Sequence, residues 1–134
     1  MPTSKITYQG DLRTSSVHLQ SGTVILSDAP LDNNGKGEAF SPTDLVANAL
    51  GSCIMTIMAI KARDLDVNFT NSTVEVTKIM QTEPRKIAKI QLVFDMSISV
   101  SEKNRLILER VAMNCPVLLS LNPDIDKEVT FNWK

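Results

Sequence analysis

Cys53 and Cys115 are the only thiols in a chain of 134 residues. No C-x-x-C pair is present to suggest zinc or a thioredoxin-type dithiol. Cys53 lies inside a long apolar run, where a free cysteine serves equally well as a small core residue. Cys115 directly precedes Pro116. A helical turn opening at that proline would set backbone N–H groups and a positive helix end beside the sulfur and lower its pKa. The alternative for Cys115 is a buried helix terminator. If the two sulfurs meet, the chemistry open to them is that of a peroxide-reducing dithiol. One thiolate attacks the O–O bond and the other resolves the sulfenic acid as a disulfide.

Such a site needs a cation to hold the thiolate and the leaving oxygen, and a carboxylate to hold the cation. The guanidiniums available are Arg13, Arg63, Arg85, Arg105 and Arg110. Arg63 stands ten residues from Cys53 on the same expected helix, roughly 15 Å away at the helical rise, and cannot reach it. Arg13 sits beside a break between early strands, where a loop could carry it over a site; otherwise it is a solvated strand residue. The single histidine, His18, forms no metal cluster and is expected to decorate a strand.

The element that must position this chemistry begins at Ser41-Pro42-Thr43-Asp44. Ser41 can cap a helix, Pro42 suits its first turn, and Asp44 stands where a capping-box acid stands. From there to about Leu65 the residues are apolar almost all round, which predicts a central helix buried on every side. Met55, Met58 and Leu50 on that helix are candidates for lining an apolar substrate pocket, with plain core as the alternative.

Ahead of the helix, Lys5–Gln9 and Thr14–Gln20 read as strands broken near Gly10 or Asp11, and Ser21-Gly22 turns Val17–Gln20 onto Thr23–Ser27. Residues 28–40 are rich in turn formers and make a loop, a place that functional residues favour. Thr73–Gln81 and the unbroken alternation from Ile90 to Val100 predict two further strands. Ser101 caps an amphipathic helix ending near Asn114, Val117–Leu121 forms a short helical turn, and Val129–Trp133 forms a last strand. The order predicts a single α+β domain over residues 1–134 whose hairpins supply antiparallel sheet.

Composition narrows the function. A net charge of −1 gives no electrostatic case for nucleic acid or an anionic membrane. Aromatics at 4% argue against a base-stacking surface. The N-terminus carries no signal-peptide pattern, and no window matches a membrane span, the best being Leu45–Ile60, broken by Asn48 and Ser52. The expected location is the cytoplasm, where a pair of cysteines is more often free or redox-active than a structural disulfide.

The pattern Ser41-Pro42-Thr43-Asp44-Leu45, then Ala49-Leu50-Gly51-Ser52-Cys53, then Asn114-Cys115-Pro116 resembles the OsmC/Ohr family. Upstream, Asp28-Ala29-Pro30 and Gly35-Lys36-Gly37-Glu38-Ala39-Phe40 are similar to the OsmC-like branch. The likeness runs over nearly the whole chain. It implies an intertwined homodimer in which antiparallel sheets wrap long central helices and paired active sites lie at the subunit interface. It also implies a thiol-dependent reductase of organic hydroperoxides, with a role in oxidative or osmotic stress resistance. By position Cys53 matches the peroxidatic cysteine and Cys115 the resolving one. No bound cofactor is implied; the reductant is an external dithiol, small or lipoylated. Where the family's reductases carry a glutamate after the helix-opening proline, this chain has Thr43. Asp44 is the nearest acid. It lies too far along one straight helix to serve its own Cys53, so it would orient the activating arginine, Arg13, across the interface. A binder of small thiols or acyl-thiols on the same fold is the alternative.

Overall fold

A computed structural model describes residues 1–134, which divide into two compact units, Met1–Val46 and Ala47–Lys134. In the first unit, β1 (Ser4–Gly10), β2 (Arg13–His18) and β3 (Val24–Asp28) form an antiparallel sheet in that order. The β1–β2 turn is only Asp11-Leu12, both at positive φ (55° and 62°). Two left-handed residues match the right-handed twist of flanking strands, which is why so tight a connection closes here. At the next turn Gly22, at φ 78°, donates its N–H to the His18 carbonyl at 2.7 Å. The exposed imidazole of His18 is tied to Ser21 Oγ at 2.6 Å.

The segment after β3 holds a 3-10 turn over Leu31–Asn33. It folds tightly on itself: a Cβ at Gly35 would fall 1.8 Å from the Ala29 carbonyl oxygen, so only glycine fits. The expected helix start then appears as a full capping box. Ser41 Oγ accepts the Asp44 N–H at 3.1 Å, and Asp44 Oδ2 accepts the Ser41 N–H at 3.0 Å.

Helix α1 runs Pro42–Asp64. Ala47, Leu50, Gly51, Ile54, Met58 and Ala62 are buried, a single stripe at helical spacing. The expectation of burial on every side fails: Val46 and Ile60 are exposed. Within one chain the helix is covered along one face only. Its 23 residues, with a mean hydropathy of 1.6 over the best window, are also long and apolar enough to cross a bilayer, contrary to expectation; a third of that window is buried.

In the second unit, β4 (Thr73–Thr82) and β5 (Arg85–Asp95) form a long antiparallel hairpin. The alternation from Ile90 to Val100 predicted a longer strand. It stops because Ser97 leaves the ladder: its N–H goes to Ser72 Oγ at 2.8 Å and its hydroxyl to the Thr70 carbonyl at 2.9 Å. Helix α2 (Glu102–Ala112) follows, capped by Ser101 Oγ on the Asn104 N–H at 3.1 Å. Then come α3 (Pro116–Ser120) and β6 (Asp126–Asn132). β6 pairs parallel with β5, so the second sheet is mixed rather than wholly antiparallel as expected. A parallel neighbour needs a long crossover, and α2 and α3 provide it. Lys89, flanked by Asp126 and Glu128, and Phe94 stacked on Phe131 at 4.9 Å support the register. Gly51 lets α1 settle close to this sheet, since a Cβ there would stand 2.9 Å from Val76 Cγ2 and 3.3 Å from Leu92 Cδ2.

Candidate thiol site

Cys53 is half-buried on α1, one position before Ile54 of the buried stripe. Cys115 is fully buried as the N-cap of α3, where its Sγ accepts the Leu118 N–H at 3.3 Å. Pro116 opens the helix as the sequence suggested, because a missing N–H costs nothing in a first turn. The expected acidic Cys115 thiol is not found. Burial pushes its pKa up, and this outweighs the Leu118 N–H, which acts in the opposite direction. The Cys53 side chain adds to the rise through a hydrogen bond and its charge. Cys53 is thus one of the groups that keep the Cys115 thiol in its neutral form.

Arg13 is organised by partners other than Asp44. β2 and β3 set it opposite Asp28. Its Nε donates to Asp28 Oδ1 at 2.7 Å and its Nη2 to Oδ2 at 2.8 Å. Glu38 adds a backbone N–H to Asp28 Oδ2 at 3.1 Å, and its own carboxylate lies 3.7 Å from Arg13 Nη2. The Arg13 guanidinium holds the Asp28 carboxyl below the usual carboxylate range, with the Glu38 N–H and Lys36 assisting against burial; Arg13 itself is raised, chiefly by Asp28. One signal could have found the pair. With Ser21-Gly22 as the turn and Val17 opposite Val24, counting back along the hairpin puts Arg13 opposite Asp28.

Asp44 stands in the capping box, so within this unit the carboxylate on Arg13 is Asp28. Of the three candidate pocket residues, Leu50 and Met58 are plain core. Met55 does line a cavity of about 420 Å³, together with Ala59, Arg63 and the Asn68–Ser72 segment, but neither cysteine lines it.

Comparison with known proteins places these residues in a family. The OsmC-like protein family model matches residues 35–130, a span that includes both cysteines. The chain belongs to the OsmC-like family. A solved Psychrobacter arcticus protein, ascribed to osmotic stress induction and detoxification response, is 48% identical, with a TM-score of 0.96 over 98% of this chain and 96% of its own. A Legionella pneumophila structure described as an organic hydroperoxide resistance protein OsmC shares 16% identity at a TM-score of 0.72, covering 98% of both chains. OhrB of Bacillus subtilis, an organic hydroperoxide resistance protein, shares 15% at 0.66, again over 98% of both. The last two likenesses show the shared α+β fold. No curated protein sequence matches the chain.

Proposed function

We propose that this protein is a thiol-dependent hydroperoxide reductase, suited to organic peroxides, that works through Cys53 and Cys115. The observation that carries the proposal is that the span matched by the OsmC-like family model holds two free cysteines, one half-buried and one sealed. The distant relatives described as organic hydroperoxide resistance proteins support the substrate class.

In the first step the Cys53 thiolate gives an electron pair to the distal peroxide oxygen. The O–O bond breaks, the alkoxide leaves with the other pair and takes a proton, and Cys53 becomes a sulfenic acid. Cys115 then attacks the Cys53 sulfur, water departs, and a disulfide forms. An external dithiol, small or lipoylated, restores both thiols by exchange. Arg13 would stabilise the departing oxyanion. Cys115 suits the resolving role because a thiol held neutral does not compete for the peroxide.

The acting species is proposed to be a homodimer in the cytoplasm, in line with its free cysteines. Ile6, Tyr8 and Ile25 lie on one face of the first sheet, and all are at least half exposed. They form the kind of apolar surface that a second copy covers.

The test is one equivalent of cumene hydroperoxide added to the reduced protein, followed by free-thiol count and intact mass over seconds. Rapid loss of both thiols with a two-hydrogen mass decrease is the expected result. If both thiols survive while a thiol reagent still labels Cys53, peroxide reduction fails and the binder of small thiols takes its place.

A further inference from the structure

The cavity of about 420 Å³ lies where α1 ends, and its volume falls in the range of about 300–1,000 Å³ usual for small-molecule sites. One helix face makes its floor. Met55, Ala59 and Ala62 recur at helical spacing, and Arg63 completes that face at the rim. The two alanines leave the space, since longer side chains on the same face would fill it. Val67 and the buried Phe69 close the apolar part from the segment that follows the helix. The rest of the wall, Asn68 and Thr70–Ser72, is polar.

That polar wall is uneven in what it can still bind. Its acceptors are occupied within the chain. Asn68 Oδ1 takes the Thr70 N–H at 2.9 Å and the Thr70 hydroxyl at 2.6 Å. The Thr70 carbonyl takes the Ser97 hydroxyl at 2.9 Å, and Ser72 Oγ takes the Ser97 N–H at 2.8 Å. The negative end of α1 is closed in the same way. Asp66, at φ 54°, turns the chain so that the Val67 N–H reaches the Ala62 carbonyl at 2.9 Å and its own N–H the Arg63 carbonyl at 3.3 Å. The donors are not occupied. The Arg63 guanidinium, Asn68 Nδ2 and the Asn71 side-chain amide have no partner in the chain. Asp64 and Asp66, the acids nearest to Arg63 in sequence, form no ion pair with it and do not line the cavity.

An apolar floor under a rim of open donors suits an occupant with an apolar body and an anionic head. We propose that this cavity binds an organic monocarboxylate with a compact ring system as its body. The rings seat on Met55, Ala59 and Phe69, and Arg63 holds the carboxylate with help from Asn68 and Asn71. A guanidinium is the side chain best matched to a carboxylate, because it can donate to both oxygens at once. The floor sets the size of the body. From Met55 to Ala62 the helix advances about 10 Å at its usual rise, room for two fused rings and their carboxylate but not for an extended fatty chain. The whole site belongs to the second unit and neither cysteine lines it, so it stands apart from peroxide reduction.

The test is calorimetric titration of 2-naphthoate into the full-length protein, with 2-naphthalenemethanol as the uncharged counterpart. Wild type should show one saturable site per chain for the acid and bind the alcohol at least about tenfold more weakly, the loss expected for a charge-assisted hydrogen bond. Arg63→Gln should weaken the acid by at least about the same factor and leave the alcohol unchanged. Ala59→Leu, which fills the floor, should abolish binding of both. Arg63 is exposed at the end of α1, so Arg63→Gln keeps the fold and decides the matter even if Ala59→Leu does not fold. No saturable binding to wild type would overturn the site. Undiminished binding of the acid to Arg63→Gln would place the ligand elsewhere and overturn it equally. Equal affinity for acid and alcohol would remove the anionic head, and the proposal with it.

Discussion

Residues 1–46 and 47–134 bury opposite kinds of side chain. In the first unit the buried positions are Ser27, Asp28 and Ser41, all polar, while Ile6, Tyr8, Val24, Ile25 and Leu26 stand exposed. The second unit buries Leu50, Ile54, Met58, Ile90, Leu92, Phe94 and Leu108, with no buried polar residue beside them. Burial also has opposite electrostatic outcomes. Asp28 is buried with its counterion and stays ionised below the usual carboxylate range; Cys115 is buried without one and is pushed up. Desolvation penalises the charged form in both cases, and the presence of a paired guanidinium decides which way the group moves. The second unit is held by its own apolar core. The first is organised by polar contacts and leaves its large apolar side chains exposed.

The largest effect should come from the second unit. Ile54→Ala is expected to lower unfolding stability by about 2–5 kcal/mol in a urea titration, since a fully buried branched side chain leaves a cavity. A loss well under 1 kcal/mol would mean this core is softer than it looks. Ile25→Glu, on the exposed face of the first sheet, should barely alter that midpoint. Instead it should raise the dissociation constant of the proposed homodimer at least about tenfold in sedimentation experiments, equivalent to about 1.4 kcal/mol. An unchanged association constant would remove that face from the interface.

The helix caps give a smaller and more direct comparison. Ser101→Ala should cost about 1 kcal/mol. Ser41→Ala should cost somewhat more, because it opens a reciprocal box. The smallest signals are in pH. Asp28 has a lowered folded-state pKa, so its contribution is complete above the unfolded value of 3.8 and is lost as pH falls through the folded value. Arg13→Met should therefore flatten the acid limb of stability against pH, read from urea midpoints. Cys115 has the reverse shift, so in a Cys53→Ser chain its alkylation should reach half-maximal rate only above pH 9.0. Alkylation at lower pH would show that the helix end prevails over burial after all.

The sequence shows one kind of information well and another poorly. Capping signals at Ser41 and Ser101, the proline after Cys115, and the alternation through Ile90, Leu92 and Phe94 are local, and each element appears where its residues point. The end of β5 was hidden because Ser97 is held by Ser72 and Thr70, partners 25 and 27 residues distant in sequence. The parallel seat of β6 was hidden for the same reason, since a crossover leaves no local mark. At the thiol site, proximity to a helix start suggested an acidic Cys115, but burial is a property of the packed chain and it reversed the sign. Arg13 was visible as a candidate. The family resemblance points to a carboxylate on the helix for it, whereas the hairpin register pairs it with Asp28.

Gly51 lies two residues before Cys53, where a Cβ on α1 would crowd Val76 and Leu92. The depth at which the helix seats, and with it the height of the Cys53 sulfur over the sheet, is thus set by a hydrogen atom rather than a side chain. A methyl group there would act as a shim, lifting the helix by tenths of an ångström while leaving both sulfurs chemically intact. The chain consequently carries a mechanical adjustment for the seat of Cys53, separate from the electrostatics of its thiols.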